Sequence, residues 1–412
     1  MSQTPKLPYW NLEVSTIPRC NMACSYCFEG EELQSKKSQS RENIVHIVKT
    51  IEDLLSDERF QKEYESIRVN LWGGEPTLAY NWNKELIETL ATKDYWDRVS
   101  FFMYSNGYDF DRVVKHLNIF VNSPLGNQLH KFKIQISWDG FIGDRIDHKG
   151  ANTHTRVKEN ILRLALFYPD LDVSVKATLP LKYMLDLPNI WDEFYDLHNK
   201  VQKLNPKNFV VTYSPTIDYT TDYDVFHPDS LNNKSKELEA TFKIIAKKEI
   251  LFYKKYGYHL FGWFSETLSD LKGRRLFNCS AGVHMAMVNI DNEVLACHGA
   301  LYPTSKQSKD IFLKQFNTKI TDPDFKDVLF KTRDQLKKQI DRVDDSCKTC
   351  SATVCYKCPI VNVEEKLKTD TPTNDNFVFE QFQSRDPRHC EIYKIFGNID
   401  RSVWYHTKIQ GD

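Results

Sequence analysis

The sequence predicts an α/β protein whose parallel strands form a curved sheet or an open barrel with a polar interior. Segments with strand-like patterns alternate with segments of helical periodicity over about 200 of the 412 residues, which is typical of βα units and a parallel sheet. Several strand-like segments alternate apolar and polar residues, whereas strands covered on both faces usually have continuous apolar runs. One face of the predicted sheet is therefore polar.

The predicted elements follow one another in the order that βα units require. Residues 41–55 place their apolar side chains on one stripe and predict an amphipathic helix. Further helices are predicted over residues 83–91, 155–167 and 187–199. The strand-like segments cover residues 67–72, 100–107, 131–140, 171–179 and 209–214.

Two of the predicted strands illustrate the polar face. Side chains of one parity share a face of a strand. The polar positions in these two strands are Lys133, Gln135, Ser137, Ser174, Lys176 and Thr178. A lumen lined by them predicts a functional site, because loops at the carboxyl ends of barrel strands carry the chemistry in such folds. Edge strands with one solvated face are the alternative.

Three cysteines, Cys20, Cys24 and Cys27, lie within eight residues of the segment RCNMACSYCF and have no fourth cysteine nearby. A disulfide would leave one thiol unpaired, and a closed zinc site would need a fourth ligand from elsewhere in the chain. A four-iron cubane held by three thiolates would leave one iron open to a substrate or cofactor. The spacing favours the cluster, with the zinc site as the alternative.

The motif WGGEPTL directly follows the second strand of the predicted sheet. Gly73 and Gly74 allow a close backbone approach, which we expect to be to a ligand, and Glu75 offers a carboxylate to a cationic group. Alone, a Gly-Gly pair is more often an ordinary turn. Together with a cysteine triplet that follows the first strand, it favours a binding site.

The two motifs together resemble the radical S-adenosylmethionine (SAM) enzymes: a CX3CX2C group followed by an aromatic residue, and GGEPTL. The resemblance implies a partial (β/α)6 TIM-like barrel within residues 1–220. It also implies that Cys20, Cys24 and Cys27 bind a 4Fe-4S cluster whose open iron chelates the amino and carboxylate groups of SAM. Reductive cleavage of SAM would then give a 5′-deoxyadenosyl radical that takes a hydrogen atom from the substrate.

The same resemblance implies roles for further residues. The backbone at Phe28 would border the adenine, and Gly73, Gly74 and Glu75 would hold the methionine amino group. Lumen positions are expected to touch the ribose or the carboxylate. These positions are Ser105, Asn106, Ser137, Asp139 and Lys176.

The other seven cysteines all follow residue 278, and the dense quartet CKTCSATVCYKC favours iron-sulfur clusters over a zinc or ferredoxin-like site. Their layout resembles the SPASM extension, a small α+β cysteine-rich domain that would cover residues 279–412 with a C-terminal helix, after a connecting segment at 221–278. The resemblance implies two auxiliary 4Fe-4S clusters, three clusters in all. One would use Cys347, Cys350, Cys355 and Cys390, and the other Cys279, Cys297 and Cys358.

Two details of the SPASM resemblance depart from the usual pattern. The second ligand set has only three members, so its last iron is either open or bound by His284. Asn292 stands where the family has glycine, and the turn can survive because Asn tolerates a left-handed backbone better than most residues. The quartet is also one residue shorter in each of its two later gaps.

SPASM enzymes mostly modify peptides or proteins, so we expect a maturase that cross-links, oxidises or epimerises a ribosomally made peptide. His298 occupies the position of an acidic base in sulfatase-maturing members, which disfavours that activity, although His298 could itself act as a base. A sulfatase-type maturase and a small-molecule radical SAM dehydrogenase are the alternatives, with a non-catalytic electron carrier or zinc scaffold as a third. The Tyr- and Phe-rich connecting segment suggests core more than a peptide groove.

Composition narrows the expected partners. The net charge of −1 gives no electrostatic footprint for nucleic acid. The sequence contains no apolar run of about 18 residues, so we expect no membrane-spanning helix. The start of the chain lacks a secretory signal, so we expect a cytoplasmic protein. An electron donor such as flavodoxin or ferredoxin is expected. Because only 19 residues precede Cys20, leader recognition is expected to use other segments or a separate leader-binding protein.

Overall fold

The computed structural model describes most of the predicted barrel and parts of the region that follows it. The described residues are 6–27, 29–141, 144–205, 209–216, 229–261, 281–300, 316–340, 390–392, 394–395 and 399. Six residues of the predicted sites lie outside these ranges. They are Phe28, Cys279, Cys347, Cys350, Cys355 and Cys358.

Eight strands and eight α-helices are described in these ranges. The strands are β1 (Leu7–Ile17), β2 (Tyr64–Gly73), β3 (Val99–Ser105), β4 (Phe132–Ser137), β5 (Asp172–Pro180), β6 (Phe209–Thr216), β7 (Met285–Val288) and β8 (Val294–Leu295). The helices are α1 (Glu42–Ser56), α2 (Glu58–Glu63), α3 (Tyr80–Ala91), α4 (Phe110–Val121), α5 (His154–Phe167), α6 (Leu187–Leu204), α7 (Ser235–Tyr256) and α8 (Phe325–Ile340). The predicted strands and helices are confirmed, and the structure adds helices α2, α4, α7 and α8 and strands β7 and β8.

All eight strands belong to one sheet with the order β6-β5-β4-β3-β2-β1-β7-β8. Neighbours from β6 to β7 run parallel, and only β7 and β8 pair antiparallel. The predicted α/β fold with an open, partial barrel is confirmed. Strand β7 lies in the region assigned to the auxiliary-cluster domain yet hydrogen-bonds to β1, and the domain boundaries stay predictions.

The two faces of the sheet differ as the alternation predicted. Val14, Phe101 and Ile134 point to the helical face and are fully buried. Residues that point to the opposite face form a row of register neighbours across five strands. In this row Glu13 and Asn70 are buried, and the other three residues are half-buried. The row consists of Glu13, Asn70, Phe102, Lys133 and Asp172. Four of these five residues are polar or charged, so the concave face, which we call the lumen, is largely polar.

Part of the aromatic stretch after residue 250 belongs to the core, which its composition favoured, while Tyr258 in the same stretch is 40% exposed. Phe252 and Phe261 are buried, and Phe252 meets the indole ring of Trp191 edge-on at 6.2 Å. Glu249, on the buried face of α7, accepts hydrogen bonds from the Trp191 indole nitrogen (2.6 Å) and from the backbone of Phe261 (3.0 Å). This carboxylate therefore ties α6, α7 and the chain beyond α7 into one unit.

The turn between β7 and β8 confirms the expectation for Asn292. This residue has φ of 63°, in the left-handed region. Its backbone N–H donates to the carbonyl of Asn289 (3.1 Å), and its side chain donates to Asn43 on α1 (2.7 Å). Asn can therefore stand where the family has glycine. Among the helices in the described ranges, none has the length and apolar character that crossing a membrane requires.

Candidate functional site

The carboxyl ends of β1 and β2 are joined by backbone contacts that only glycines allow. Gly74 N donates to Ile17 O (2.9 Å), and Glu75 N donates to Arg19 O (3.0 Å). A Cβ on Gly73 would stand 2.1 Å from Ile17 O, and one on Gly74 would stand 2.1 Å from Pro18 O. The close approach expected of this pair is therefore made to the chain that enters the cysteine loop (residues 18–30).

Glu75 anchors a second loop to the same place. Its carboxylate is 1% exposed and accepts hydrogen bonds from Asn106 N (2.7 Å), Ser105 Oγ (3.0 Å) and Thr77 N (3.1 Å). Burial raises the pKa of this carboxyl, and the hydrogen bonds oppose that rise. Glu75 thereby fixes the loop after β3 against the end of β2. Its contact with the methionine amino group of SAM stays a prediction.

Asn106 links that loop to the cysteines. Its Nδ2 donates to Asn21 Oδ1 (2.7 Å) and lies 3.5 Å from Cys20 Sγ. The structure therefore brings together Ser105, Asn106, Glu75 and Cys20, which the sequence had placed at one site from separate motifs. Ser137 and Lys176 are register neighbours on β4 and β5 and lie half-buried on the lumen face.

The three thiols of the cysteine loop belong to one small apolar cluster of side chains. Cys20, Met22 and Leu33 form its buried part, with Cys24 and Cys27 packed against them. Burial is the main cause that raises the pKa of all three thiols, and it raises that of Cys27 to about 12 with a contribution from Glu29.

This donor set fits an iron-sulfur cluster. Backbone and side-chain donors reach two of the sulfurs: Met22 N lies 3.4 Å from Cys20 Sγ, and Arg145 Nη1 lies 3.9 Å from Cys24 Sγ. N–H groups aimed at sulfur suit thiolates that ligate a cluster. Across the described ranges, no three His, Cys, Asp or Glu side chains converge closely enough to hold a single metal ion. The ligands of a cubane stand farther apart than those of one zinc ion.

Sequence reasoning missed a polar cluster next to Cys24, formed by Tyr26, Asp139 and Arg145. The Tyr26 hydroxyl donates to Asp139, and Arg145 Nη1 donates to the same hydroxyl (2.9 Å). Asp139 also accepts from Thr178 N (2.8 Å), and its carboxylate lies 3.8 Å from Arg145 Nε. Asp139, predicted to touch ribose or carboxylate, thus has three protein partners in the structure, and its contact with SAM stays a prediction. The available signal was the tyrosine inside the cysteine motif.

Residues 144–148, the clamp segment, run beside the cysteine loop. Ala23 N donates to Ile146 O (2.8 Å), and Ser25 N donates to Asp144 O (3.1 Å). His148 Nε2 lies 3.0 Å from Cys20 O. The cysteine loop is therefore held along its length by a segment more than 100 residues away in sequence.

Replacing Asp139 by asparagine should destabilise the protein by about 3 kcal/mol, because it leaves the buried Arg145 charge without its carboxylate. Asp109→Asn is the control. It removes an exposed ion pair with Arg112, and Asn can replace Asp109 as the N-cap of α4. We therefore expect a loss of stability of less than about 1 kcal/mol. Urea unfolding of both variants measures the difference. Equal midpoints for the two variants would show that the Tyr26 and Arg145 contacts contribute little.

His298 lies in the lumen beside β1 and β2. Its Nδ1 lies 3.0 Å from Glu13 Oε2, its backbone N–H donates to the same oxygen (3.0 Å), and its ring stacks on Trp72 at 5.1 Å. The pKa of the neighbouring Tyr104 hydroxyl is raised, mainly by burial and secondly by the negative charge of Glu13. Two contacts with Glu13 fix the orientation of the imidazole. His284, the alternative cluster ligand, lies with Nδ1 2.9 Å from the Tyr64 hydroxyl.

Residues 14–130 match the family model described as the Radical SAM superfamily. This part of the chain is a radical SAM domain. Such a domain implies SAM and a 4Fe-4S cluster as cofactors, and the cysteine loop and the Gly-Gly-Glu contacts lie within the matched residues. No curated protein matches the sequence.

Solved structures share the fold around the radical SAM domain and beyond it. Native anSMEcpe with bound AdoMet has a TM-score of 0.69 and 16% identity, covering 98% of this chain and 100% of that chain. Native anSMEcpe with bound AdoMet and the Cp18Cys peptide has a TM-score of 0.67 at 16% identity, with the same coverage. Streptococcus suis SuiB bound to precursor peptide SuiA reaches only 0.48 at 13% identity, covering 87% and 74%. The anSMEcpe matches show a shared fold.

Proposed function

We propose that this protein is a radical SAM enzyme that modifies a peptide or protein by cross-linking, oxidation or epimerisation. The observation that carries the proposal is the meeting of three clustered thiols, the Gly-Gly-Glu contacts and the loop after β3 at the carboxyl edge of a polar lumen. The fold shared over 98% of the chain with anSMEcpe, a protein solved with AdoMet and a peptide, supports a peptide as substrate.

Cys20, Cys24 and Cys27 would hold the cluster. The residues proposed to bind SAM are Phe28, Gly73, Gly74, Glu75, Ser105, Asn106, Ser137, Asp139 and Lys176. When bound, the two cofactors supply a 5′-deoxyadenosyl radical that abstracts hydrogen from the substrate. The residues of this chain position that chemistry: Glu75 and Asn106 fix the loops, and the apolar cluster around Cys20 shields that thiol from water.

His298 is proposed to contact the substrate. It projects into the lumen between Trp72 and Tyr104, with ring centroids at 5.1 and 6.4 Å. Because Glu13 holds the imidazole at Nδ1, Nε2 is the ring nitrogen on the far side of that contact. A proposed base at this position therefore has its orientation set by a buried carboxylate.

The remaining cysteines are proposed to bind two auxiliary 4Fe-4S clusters, with the ligand sets given by the SPASM resemblance. Cys297 stands next to His298, which supports a cluster close to the lumen. Iron and acid-labile sulfide analysis of the anaerobically purified protein tests this: three clusters give about twelve irons per chain. About eight irons would leave one auxiliary cluster, and bound zinc would contradict both.

Anaerobic turnover tests the proposed function. The reconstituted protein with SAM and a flavodoxin, a ferredoxin or dithionite should release 5′-deoxyadenosine. Candidate peptides from the same gene neighbourhood should then change mass during turnover. An iron-loaded protein that releases no 5′-deoxyadenosine with any of the three reductants would refute the radical SAM activity, and release without any peptide product would refute only the substrate class.

A further inference from the structure

Arg68 is a charged residue on the lumen face of the central strand β2. Its side chain is half-buried. The guanidinium carbon lies 3.3 Å from the ring centroid of Tyr9 on β1 and 5.8 Å from that of Phe102 on β3. Rings on both flanking strands thus lie within cation–π distance of the guanidinium, and its N–H donors point outward in the guanidinium plane.

Other charged side chains on the lumen face pair with one another. Glu13 contacts His298, and Asp172 contacts Lys133. Within the part of the chain that the structure describes, Arg68 makes ring contacts but no hydrogen bond or ion pair. A guanidinium partly removed from water, with five donors and no acceptor, suits a carboxylate that arrives with a ligand, because that pair can be bidentate.

We propose that Arg68, held between Tyr9 and Phe102, binds a carboxylate of the peptide substrate. The inference rests on the proposed function and adds a substrate class to it: a peptide with an Asp or Glu side chain, or with a free C-terminal carboxylate, seated in the lumen. Arg68 precedes Gly73 by five residues along β2, so the carboxylate lies on the order of 16 Å from the SAM edge of the sheet. An extended peptide spans that distance with about five residues.

Selection from a random decapeptide mixture tests the proposal. The reconstituted holoenzyme with SAM is incubated anaerobically with the mixture, prepared once with free and once with amidated C-termini, and retained peptides are sequenced by mass spectrometry. We expect about tenfold enrichment of carboxylates over the matching amides, since a charge-assisted bidentate contact is worth about this factor. Enrichment of Asp and Glu over Asn and Gln in the amidated mixture identifies a side chain, and preference for free C-termini identifies the terminal carboxylate.

Two variants make the selection specific to this residue. Arg68→Gln should lose the enrichment. Arg163→Gln should keep it, because Arg163 also stacks on a ring, 3.6 Å from the centroid of Phe110, but is exposed on the outer helix α5. Circular dichroism and iron content check that each variant folds. Arg68→Lys, which keeps the charge but not the planar pair of donors, should retain only part of the enrichment and serves if Arg68→Gln is unstable.

The proposal is overturned if the wild-type protein shows no preference for either carboxylate. It is also overturned if Arg68→Gln, or Arg68→Lys where the first variant fails to fold, selects as the wild type does. These outcomes are separate from failure of the proposed function, since they report binding, whereas absence of 5′-deoxyadenosine in the wild-type assay concerns the cofactor chemistry.

Discussion

Cys24→Ala should abolish 5′-deoxyadenosine formation. Cys24 is one of the three thiols in the apolar cluster of the cysteine loop, and Arg145 Nη1 lies 3.9 Å from its sulfur. A cluster that already has only three protein thiolates cannot lose another and keep its site. The expected loss is therefore complete rather than partial.

Ser25→Ala is the matched control for this variant. Ser25 neighbours Cys24 in the same loop and is exposed, and its backbone N–H, which alanine retains, donates to Asp144 O. Ser25→Ala should thus form 5′-deoxyadenosine at close to the wild-type rate. Both proteins are reconstituted and assayed anaerobically beside the wild type, with iron measured per chain. A Cys24→Ala protein that cleaves SAM with its iron complete would show that Cys24 is not a ligand.

Much of the barrel could be predicted because its signals are local. The alternation in residues 131–140 and 171–179 depends only on neighbours in the chain, and both segments form strands with a half-buried polar face. The left-handed backbone at Asn292 was likewise predictable from its own conformational preference. Local patterns of this kind report which face of a strand meets the helices.

The contacts that were missed join residues far apart in the sequence. Tyr26 and Asp139 are separated by 113 positions, and Glu13 and His298 by 285. Neither pair leaves a periodic signal, because each contact depends on how loops from different strands meet after the sheet has formed. The addition of β7 beside β1 is of the same kind, since four residues of MAMV do not specify a partner strand.

The Gly-Gly pair lies between these two cases. The sequence identified Gly73 and Gly74 as a place of close backbone approach but assigned the approach to a ligand. In the structure the approaching atoms are carbonyl oxygens of residues 17 and 18, at the entrance to the cysteine loop. The glycines can therefore act on the cofactor site through the position of that loop, which is a consequence that a substitution can measure.

Gly74→Ala should lower 5′-deoxyadenosine formation by about a hundredfold, because displacement of a positioning element by about 1 Å has effects of that size. The new Cβ would stand 2.1 Å from Pro18 O and 2.7 Å from Arg19 C, both backbone atoms that cannot rotate away. The chain must separate there, which weakens the hydrogen bonds from Gly74 N to Ile17 O and from Glu75 N to Arg19 O. Iron content should fall as well, since the displaced loop carries Cys20.

Gly126→Ala separates this effect from backbone strain. Gly126 has φ of +84°, which disfavours alanine, but a Cβ there would meet nothing within 4 Å. Gly74 is the reverse case, because its Cβ would clash with Pro18 O while its φ is not positive. Gly126→Ala should therefore cost about 1 to 2 kcal/mol of stability and leave iron content and SAM cleavage unchanged. Thermal unfolding, iron analysis and the cleavage assay are run on both variants. If Gly126→Ala lost as much activity as Gly74→Ala, general destabilisation would explain both, and the contact between residue 74 and the cysteine loop would have no specific role.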